Sequence, residues 1–234
     1  MSDTYSDTRA RLEQYFDRTA AATWAQLTSD APVSRIRQTV RAGRDRMRAR
    51  LLDRLPADLS GARVLDAGCG AGQGAAALAA RGAEVVAVDI SPSLLSVAEE
   101  RMPAQLAGRV TFRAGDMLDA ALGRFDHVVA MDSLIHYRAE DIAAALGRLM
   151  ARTGGTIVFT VAPRTALLTL MHAAGKAFPR ADRSPAIVPL GQRRLTRAVA
   201  REIARGGHDP AWRLADAGRV HSGFYISQAM ELSR

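Results

Sequence analysis

An apolar run ends abruptly in Asp66-Ala67-Gly68-Cys69-Gly70-Ala71-Gly72, and this stretch carries the clearest chemical signal in the sequence. Glycines let a backbone turn sharply and come close to a ligand. A helix that starts directly behind them offers free amide hydrogens and the positive end of its dipole. Such a turn can receive an anion, either the pyrophosphate of a dinucleotide or a carboxylate. Gly70-Ala71-Gly72-Gln73-Gly74-Ala75 fits the G-x-G-x-x-A dinucleotide pattern, and a tight strand-to-helix turn with no ligand is the plainer alternative. Asp66 separates these readings. A carboxylate two residues before Gly68 would repel a pyrophosphate. It can accept hydrogen bonds from a ligand ammonium group, usually through water.

Two further acids extend the pattern. Asp89 ends the run Val85-Val86-Ala87-Val88, where a carboxylate can accept both ribose hydroxyls. That position is shared by NAD proteins and methyltransferases, so it supports a nucleoside and not a chemistry. Asp116, in Gly115-Asp116-Met117, suits an adenine amine, with Met117 or Ile90 against the ring; a solvated loop acid is the alternative. A nucleoside with an ammonium and no phosphate is S-adenosylmethionine. On the acceptor side stands Asp132-Ser133-Leu134-Ile135-His136-Tyr137. His136 brings a titratable ring and Tyr137 a phenol. Their plain alternatives are a helix-capping or packing histidine and a half-buried aromatic. An Asn-Pro-Pro-Tyr motif here would signal a DNA or amine N-methyltransferase, and it is absent.

These residues need a scaffold of strands and helices. Short β-branched runs at Arg63 to Asp66, Glu84 to Asp89, Arg109 to Arg113, Phe125 to Met131 and Thr156 to Val161 predict buried strands. Between them, Gly72 to Arg81 predicts a helix closed by Gly82. Ser91-Pro92 predicts a cap with Pro at the first helical position, and Ile142, Leu146 and Leu149 make a helical stripe. Alternation of this kind predicts an α/β, doubly wound Rossmann-like sheet. Trp212 to Asp216 and Ser222 to Leu232 predict a closing antiparallel hairpin, with Phe224, Ile226, Met230 and Leu232 on one face and a slip near Gln228. The expected division is a helical arm or lid over 1–54, a cofactor-binding core over 55–162, a cap insertion over 163–191, and a C-terminal helix and hairpin over 192–234.

Composition bounds the rest. The 234 residues are 48% hydrophobic, enough for one α/β domain with a real core, but only 5% aromatic, so Ala, Leu and Val must fill it. The net charge of +8 admits nucleic acid, an anionic membrane surface or an acidic small molecule. Cys69 is the single cysteine, which excludes an internal disulfide and argues against a cysteine metal site. The polar, acidic start is no signal peptide, and no stretch approaches the ~18 apolar residues of a membrane span. A cytoplasmic protein is expected, with room for contact at a membrane face.

Asp66, the glycine turn, Asp89 and Asp116 together resemble class I S-adenosylmethionine methyltransferases, over about Gly61 to Val161. That resemblance implies a seven-stranded sheet with one antiparallel strand, and a cofactor site of Asp66, Gly68, Cys69, Gly70, Gly72, Asp89, Ile90, Asp116, Met117 and Asp132. A narrower resemblance rests on Tyr15-Phe16-Asp17-Arg18-Thr19, Trp24, Val40-Arg41-Ala42-Gly43-Arg44, Phe178-Pro179 and Gly223-Phe224-Tyr225-Ile226-Ser227, in order along nearly the whole chain. In these it is similar to the magnesium-protoporphyrin IX O-methyltransferases of chlorophyll and bacteriochlorophyll synthesis. One departure is Thr28, where that family often has Tyr.

The resemblance implies methyl transfer from S-adenosylmethionine to a propionate of magnesium-protoporphyrin, giving the monomethyl ester. It implies His136 and Tyr137 at the reacting group, and Tyr15, Phe16, Trp24 and Leu170 (within Ala166 to Met171) as cover for the porphyrin. Arg35, Arg37 and Arg41 could face the second propionate or be solvated. Magnesium belongs to the substrate, so no protein-bound metal is expected. The implied partners are the porphyrin-binding subunit of magnesium chelatase and, peripherally, the photosynthetic membrane; a monomer and no nucleic acid are expected. The rivals are an O-methyltransferase of another planar apolar acceptor such as a quinone precursor, an RNA methyltransferase or basic RNA-binding protein, and a regulatory module without turnover.

Overall fold

Each β-branched run forms a strand. These are β1 (Arg63–Ala67), β2 (Glu84–Asp89), β3 (Val110–Ala114), β4 (His127–Ala130) and β5 (Ile157–Val161). They pair in parallel in the order β3-β2-β1-β4-β5. A computed structural model describes residues 3–16, 35–164 and 186–234 of the chain. Within them lie helices α1 (Asp3–Tyr15), α2 (Arg35–Leu52), α3 (Gln73–Ala80), α4 (Pro92–Arg101), α5 (Ala104–Ala107), α6 (Ala139–Met150) and α7 (Gln192–Arg205).

The central strands read as unbroken apolar runs because helices cover both sheet faces. Alternate residues divide cleanly between two cores. Leu65, Val86, Val128, Ile157 and Phe159 pack with Ile142, Leu146 and Leu149 of α6 and Leu195 of α7. Val64, Val85, Val129 and Val158 pack with Met47 and Leu51 of α2 and Leu78 of α3. Asp66 falls on this second face, beneath α2 and α3, because it alternates with Leu65 and Ala67. The local signals hold: Gly82 follows the α3 cap residue with φ 95°, and the Ser91 hydroxyl accepts from Leu94 N at 3.3 Å to start α4.

The sheet closes with β6 (Arg213–Ser222) and β7 (Tyr225–Ser233), in the full order β3-β2-β1-β4-β5-β7-β6. β7 runs antiparallel to both neighbours, as the resemblance drawn from the sequence implies. The hairpin differs from its sequence reading in three ways. β6 runs on to Ser222, so only Gly223 and Phe224 make the turn. Phe224 therefore sits at the tip, 59% exposed, instead of on the buried face. The irregularity lies across the ladder, between Asp216 and Gly218, and not at Gln228. Gln228 stays in register because both ends of its amide are used: Nε2 donates to Asp216 at 2.6 Å and Oε1 accepts from Arg219 at 3.0 Å.

Helix α2 lies on β6 and β7. Gly43 permits the contact, since a Cβ there would come within 2.6 Å of the Tyr225 ring. Beyond β5, the described ends of segment 163–191 meet each other: Leu190 N donates to Ala162 O at 2.8 Å and Arg164 N to Leu190 O at 3.0 Å. Among the described residues, no helix is long and apolar enough to cross a membrane.

Candidate active site

The carboxyl ends of β1, β2 and β4 open into a cavity of about 310 Å³, at the switch point where ligands of doubly wound sheets bind. The expected Gly68, Gly70, Asp89, Ile90, Asp116, Met117, Asp132, His136, Tyr137 and Phe16 all line it. Behind the glycine turn, under α2 and α3, lies a smaller cavity of about 60 Å³. Asp66 and Cys69 line this one, with Arg44, Arg48 and Gln73. Gly68 and Gly70 border both cavities, so the two adjoin at the turn. Gly72 caps α3 in a left-handed conformation, φ 80°. Tyr15 stands edge-on to Phe16, which in turn stands edge-on to His136. Trp24 and Leu170 lie outside the described residues.

The two first acids are both buried. Asp89 locks the turn: its Oδ2 accepts from Gly70 N at 2.8 Å and its Oδ1 from Ser91 N at 2.9 Å. A carboxylate has about four acceptor sites, so lone pairs remain for a ribose. Burial raises its pKa, against the pull of those amides. Asp66 Oδ2 is buried with no hydrogen-bond partner. Gly74 makes room for it, since a Cβ there would stand 2.8 Å from that oxygen. Burial, then the nearby Asp89 charge, pushes the Asp66 carboxyl up to about 7. A buried acceptor left unpaired is rare in folded proteins and asks for a ligand donor. A ligand ammonium satisfies it in both charge and hydrogen bonding. At Gly70, φ 53°, the space a Cβ would occupy is open, so a ligand can approach the backbone. The residues therefore fit S-adenosylmethionine. The Cys69 thiol is also pushed up, by burial first and then by Asp66 and Asp89, so it stays a neutral packing group.

Asp116 is reached by α1. Its Oδ1 accepts from the Tyr5 hydroxyl at 2.9 Å and from Leu118 N at 2.8 Å, and Arg9 lies 3.5 Å from Oδ2. Tyr5 stacks on Tyr137 with ring centroids 4.9 Å apart. Burial raises both phenols well above their ordinary value. Tyr137 therefore stays protonated at neutral pH and can donate a proton bond but not act as a base.

Asp132 adopts φ 56°, a conformation rare outside glycine and asparagine. Protein donors surround its carboxylate. Arg44 lies at 2.5 Å, the Tyr225 hydroxyl at 3.1 Å and Thr160 Oγ1 at 3.2 Å. Thr160 also accepts from Asp132 N at 2.7 Å. This one side chain thus ties α2, β5 and β7 to the end of β4. His136 places Nδ1 3.3 Å from Ala186 O. A carbonyl only accepts, so Nδ1 carries the hydrogen and Nε2 has the lone pair of the neutral ring. Arg35 and Arg37 are exposed and Arg41 is half-buried.

Several site residues carried no signal of their own in the sequence. Tyr5 and Arg9 sit in a polar N-terminal stretch. Arg44 and Tyr225 belong to stretches quoted above only for resemblance, and Thr160 lies within an apolar strand.

A family model described as magnesium-protoporphyrin IX methyltransferase C-terminus matches residues 130–234. One described as methyltransferase domain matches residues 64–154. The chain is 52% identical to the magnesium-protoporphyrin O-methyltransferase of Rhodobacter capsulatus, over 99% of each chain. It is 28% identical to the Synechocystis protein of the same name, over 100% of each. The crystal structure of magnesium protoporphyrin IX methyltransferase from Synechocystis, with SAH (S-adenosylhomocysteine) bound, superposes with a TM-score of 0.77 at 26% identity, covering 97% of this chain and 99% of that one.

Proposed function

The chain belongs to the magnesium-protoporphyrin IX methyltransferase family, and from that premise we propose how its residues move a methyl group from S-adenosylmethionine to a propionate of magnesium-protoporphyrin IX, giving the monomethyl ester. The observation that carries the cofactor assignment is the buried, unpartnered Asp66 oxygen behind the glycine turn. End-to-end similarity to the Rhodobacter capsulatus enzyme carries the acceptor.

S-adenosylmethionine, when bound, supplies an electrophilic methyl group on a sulfonium. Asp66 would receive its ammonium, the Gly68 to Gly70 backbone would flank its amino-acid tail, and Asp89 would take the ribose hydroxyls. Asp116, Met117 and Ile90 would border the adenine. Asp132, held by three protein donors, fixes the end of β4 beside them.

The acceptor needs no strong base. A propionate resembles a Glu side chain, with a pKa of about 4.3, and is already the nucleophile at neutral pH. The protein must instead align the reacting atoms and strip water from the carboxylate. His136 is a positioning group in this scheme. With Nδ1 turned to Ala186 O, Nε2 would be the nitrogen to serve the acceptor, donating to the carboxylate when the ring is charged or accepting a proton when neutral. Tyr137 can donate to the carboxylate but is no base, because its phenol does not ionise near neutrality.

Phe16 and Ile187 at the cavity support the reading of arm 1–54 and segment 163–191 as a cover for a flat apolar acceptor, and Phe224 adds an aromatic ring from the β6–β7 turn. Exposed Ile36, Ile187 and Phe224 on a protein of charge +8 support peripheral contact with an anionic surface. An encounter with the porphyrin-binding subunit of magnesium chelatase, and a cytoplasmic place at the photosynthetic membrane, belong to the same proposal.

The test is incubation with S-adenosylmethionine and magnesium-protoporphyrin, followed by mass spectrometry. One added methyl group, lost again on mild ester hydrolysis, is the expected product. Methylation of a quinol and not of the porphyrin would overturn the acceptor. His136→Ala should lower turnover about tenfold or more; full turnover with unchanged acceptor affinity would remove His136 from the mechanism.

A further inference from the structure

Two serine hydroxyls in the cavity have no hydrogen-bond partner. Ser133 Oγ and Ser227 Oγ are both buried and unbonded, and both residues line the larger cavity. They enter from different strands. Ser133 follows Asp132 past the end of β4 and lies against the glycine turn, where a Cβ on Gly68 would stand 2.5 Å from the Ser133 Cβ. Ser227 comes from β7, on the far side of β5, and is only 3% exposed.

The neighbours of Ser227 do not use its hydrogen. Tyr225, two residues earlier on the same strand face, aims its phenol at Asp132, at 3.1 Å and 3.3 Å from the two carboxylate oxygens. Ser227 sits beside that phenol, close enough to favour its ionised form, while its Oγ makes no hydrogen bond of normal geometry among the described residues. The backbone is satisfied by pairing, Ser227 opposite Val220 in the ladder. The other buried polar side chains of β5 and β7, Thr160 and Gln228, are hydrogen-bonded, whereas the Ser227 hydroxyl is not. A buried hydroxyl is normally paired. A serine offers one O–H donor, and a carboxylate is an acceptor only.

We propose that Ser227 donates a hydrogen bond to the carboxylate of the methyl acceptor and seats it for transfer, while Ser133, lying on the glycine turn, serves the cofactor side. This rests on the acceptor reading given above and adds to it a specific donor from β7. Two neighbouring phenols at this end are committed: Tyr225 to Asp132, and Tyr5 to Asp116. A carboxylate could come from the porphyrin or from the amino-acid tail of the cofactor, and the two sources separate in binding experiments.

The test compares the wild type with Ser227→Ala in three measurements. The first is the thermal midpoint without ligands. A serine left unpaired by the fold can be replaced by a methyl group without loss, so the midpoint should be unchanged or raised. The second is S-adenosylmethionine affinity by calorimetry, which should change less than about twofold. The third is kcat/KM for magnesium-protoporphyrin and its equilibrium affinity by fluorescence titration; a lost bond to a charged group should lower kcat/KM about tenfold to a hundredfold. The wild type should also bind the free acid more tightly than the dimethyl ester of the porphyrin, which has no carboxylate left to methylate, and the variant should lose that difference in affinity. Unchanged kcat/KM, or a loss falling on S-adenosylmethionine affinity, would overturn the proposal. So would a midpoint lowered in step with activity. Should Ser227→Ala not fold, Ser227→Cys keeps the size with a much weaker donor, and the acid-to-ester preference decides alone. Failure of the wild type to methylate the porphyrin at all would instead strike the acceptor reading itself.

Discussion

Asp66 is held 3% exposed, with one oxygen unpaired and its carboxyl raised from an ordinary 3.8 to about 7. The native state therefore keeps a proton that the unfolded chain has already lost between those values. Stability without ligand should fall as pH rises from about 4 to about 7, then level off. The cofactor ammonium favours the charged carboxylate, so binding should expel a proton below about pH 7 and none well above it. Calorimetry in two buffers of different ionisation enthalpy reads this directly. Asp66→Asn should abolish the proton release and weaken S-adenosylmethionine binding about tenfold to a hundredfold. Asp66 was legible in the sequence because its meaning is local: an acid, two residues, then glycine. Tyr5, Arg44 and Tyr225 were not, because each acts on an acid 111, 88 or 93 residues away. A residue type can suggest chemistry at short range, but only the packed sheet says which distant acid a tyrosine reaches.

Helix α2 and the β6–β7 hairpin behave as one unit through Gly43. Gly43→Ala has two opposed effects. Ala favours an exposed helix interior by about 1 kcal/mol over Gly. Here the new Cβ would meet the Tyr225 ring at 2.6 Å and Ser222 Cβ at 3.0 Å, and overpacking of that kind costs about 1–3 kcal/mol. The clash should win. A lower urea midpoint with a weaker Tyr225 hold on Asp132, read as reduced turnover, is the expected result; a stabilised, fully active variant would refute the close contact. On the other face, Leu146→Ala should cost about 2–5 kcal/mol, because Leu146 is wholly buried between α6 and the sheet. The helices and central strands were legible because both sheet faces are covered, which leaves unbroken apolar runs. The hairpin was less so. Ala217-Gly218 resembles a strand end, and only the ladder shows it as a kink that β6 passes through.

For the molecule as a whole, ligand and fold are linked. Free S-adenosylmethionine at 100 times its Kd should stabilise the native state by about 2.7 kcal/mol. For a domain of this size that is a rise in Tm of roughly 5–11 °C, measurable by scanning calorimetry. Asp66→Asn should lose about half of the rise or more at the same concentration. The doubly wound architecture could be anticipated from alternation alone, since parallel strands need helical crossovers. The use made of the net charge could not, because composition does not say which face the arginines share. The strand order has one more consequence, in time rather than in space. β6 is an edge strand of the sheet, and its mate β7 follows it in the chain. Until β7 is made, β6 has no partner and β5 has an open flank. The nascent protein thus carries two raw edges until β7 emerges from the ribosome, and a message cut short before Tyr225 would yield not a weaker enzyme but a sticky, chaperone-bound one.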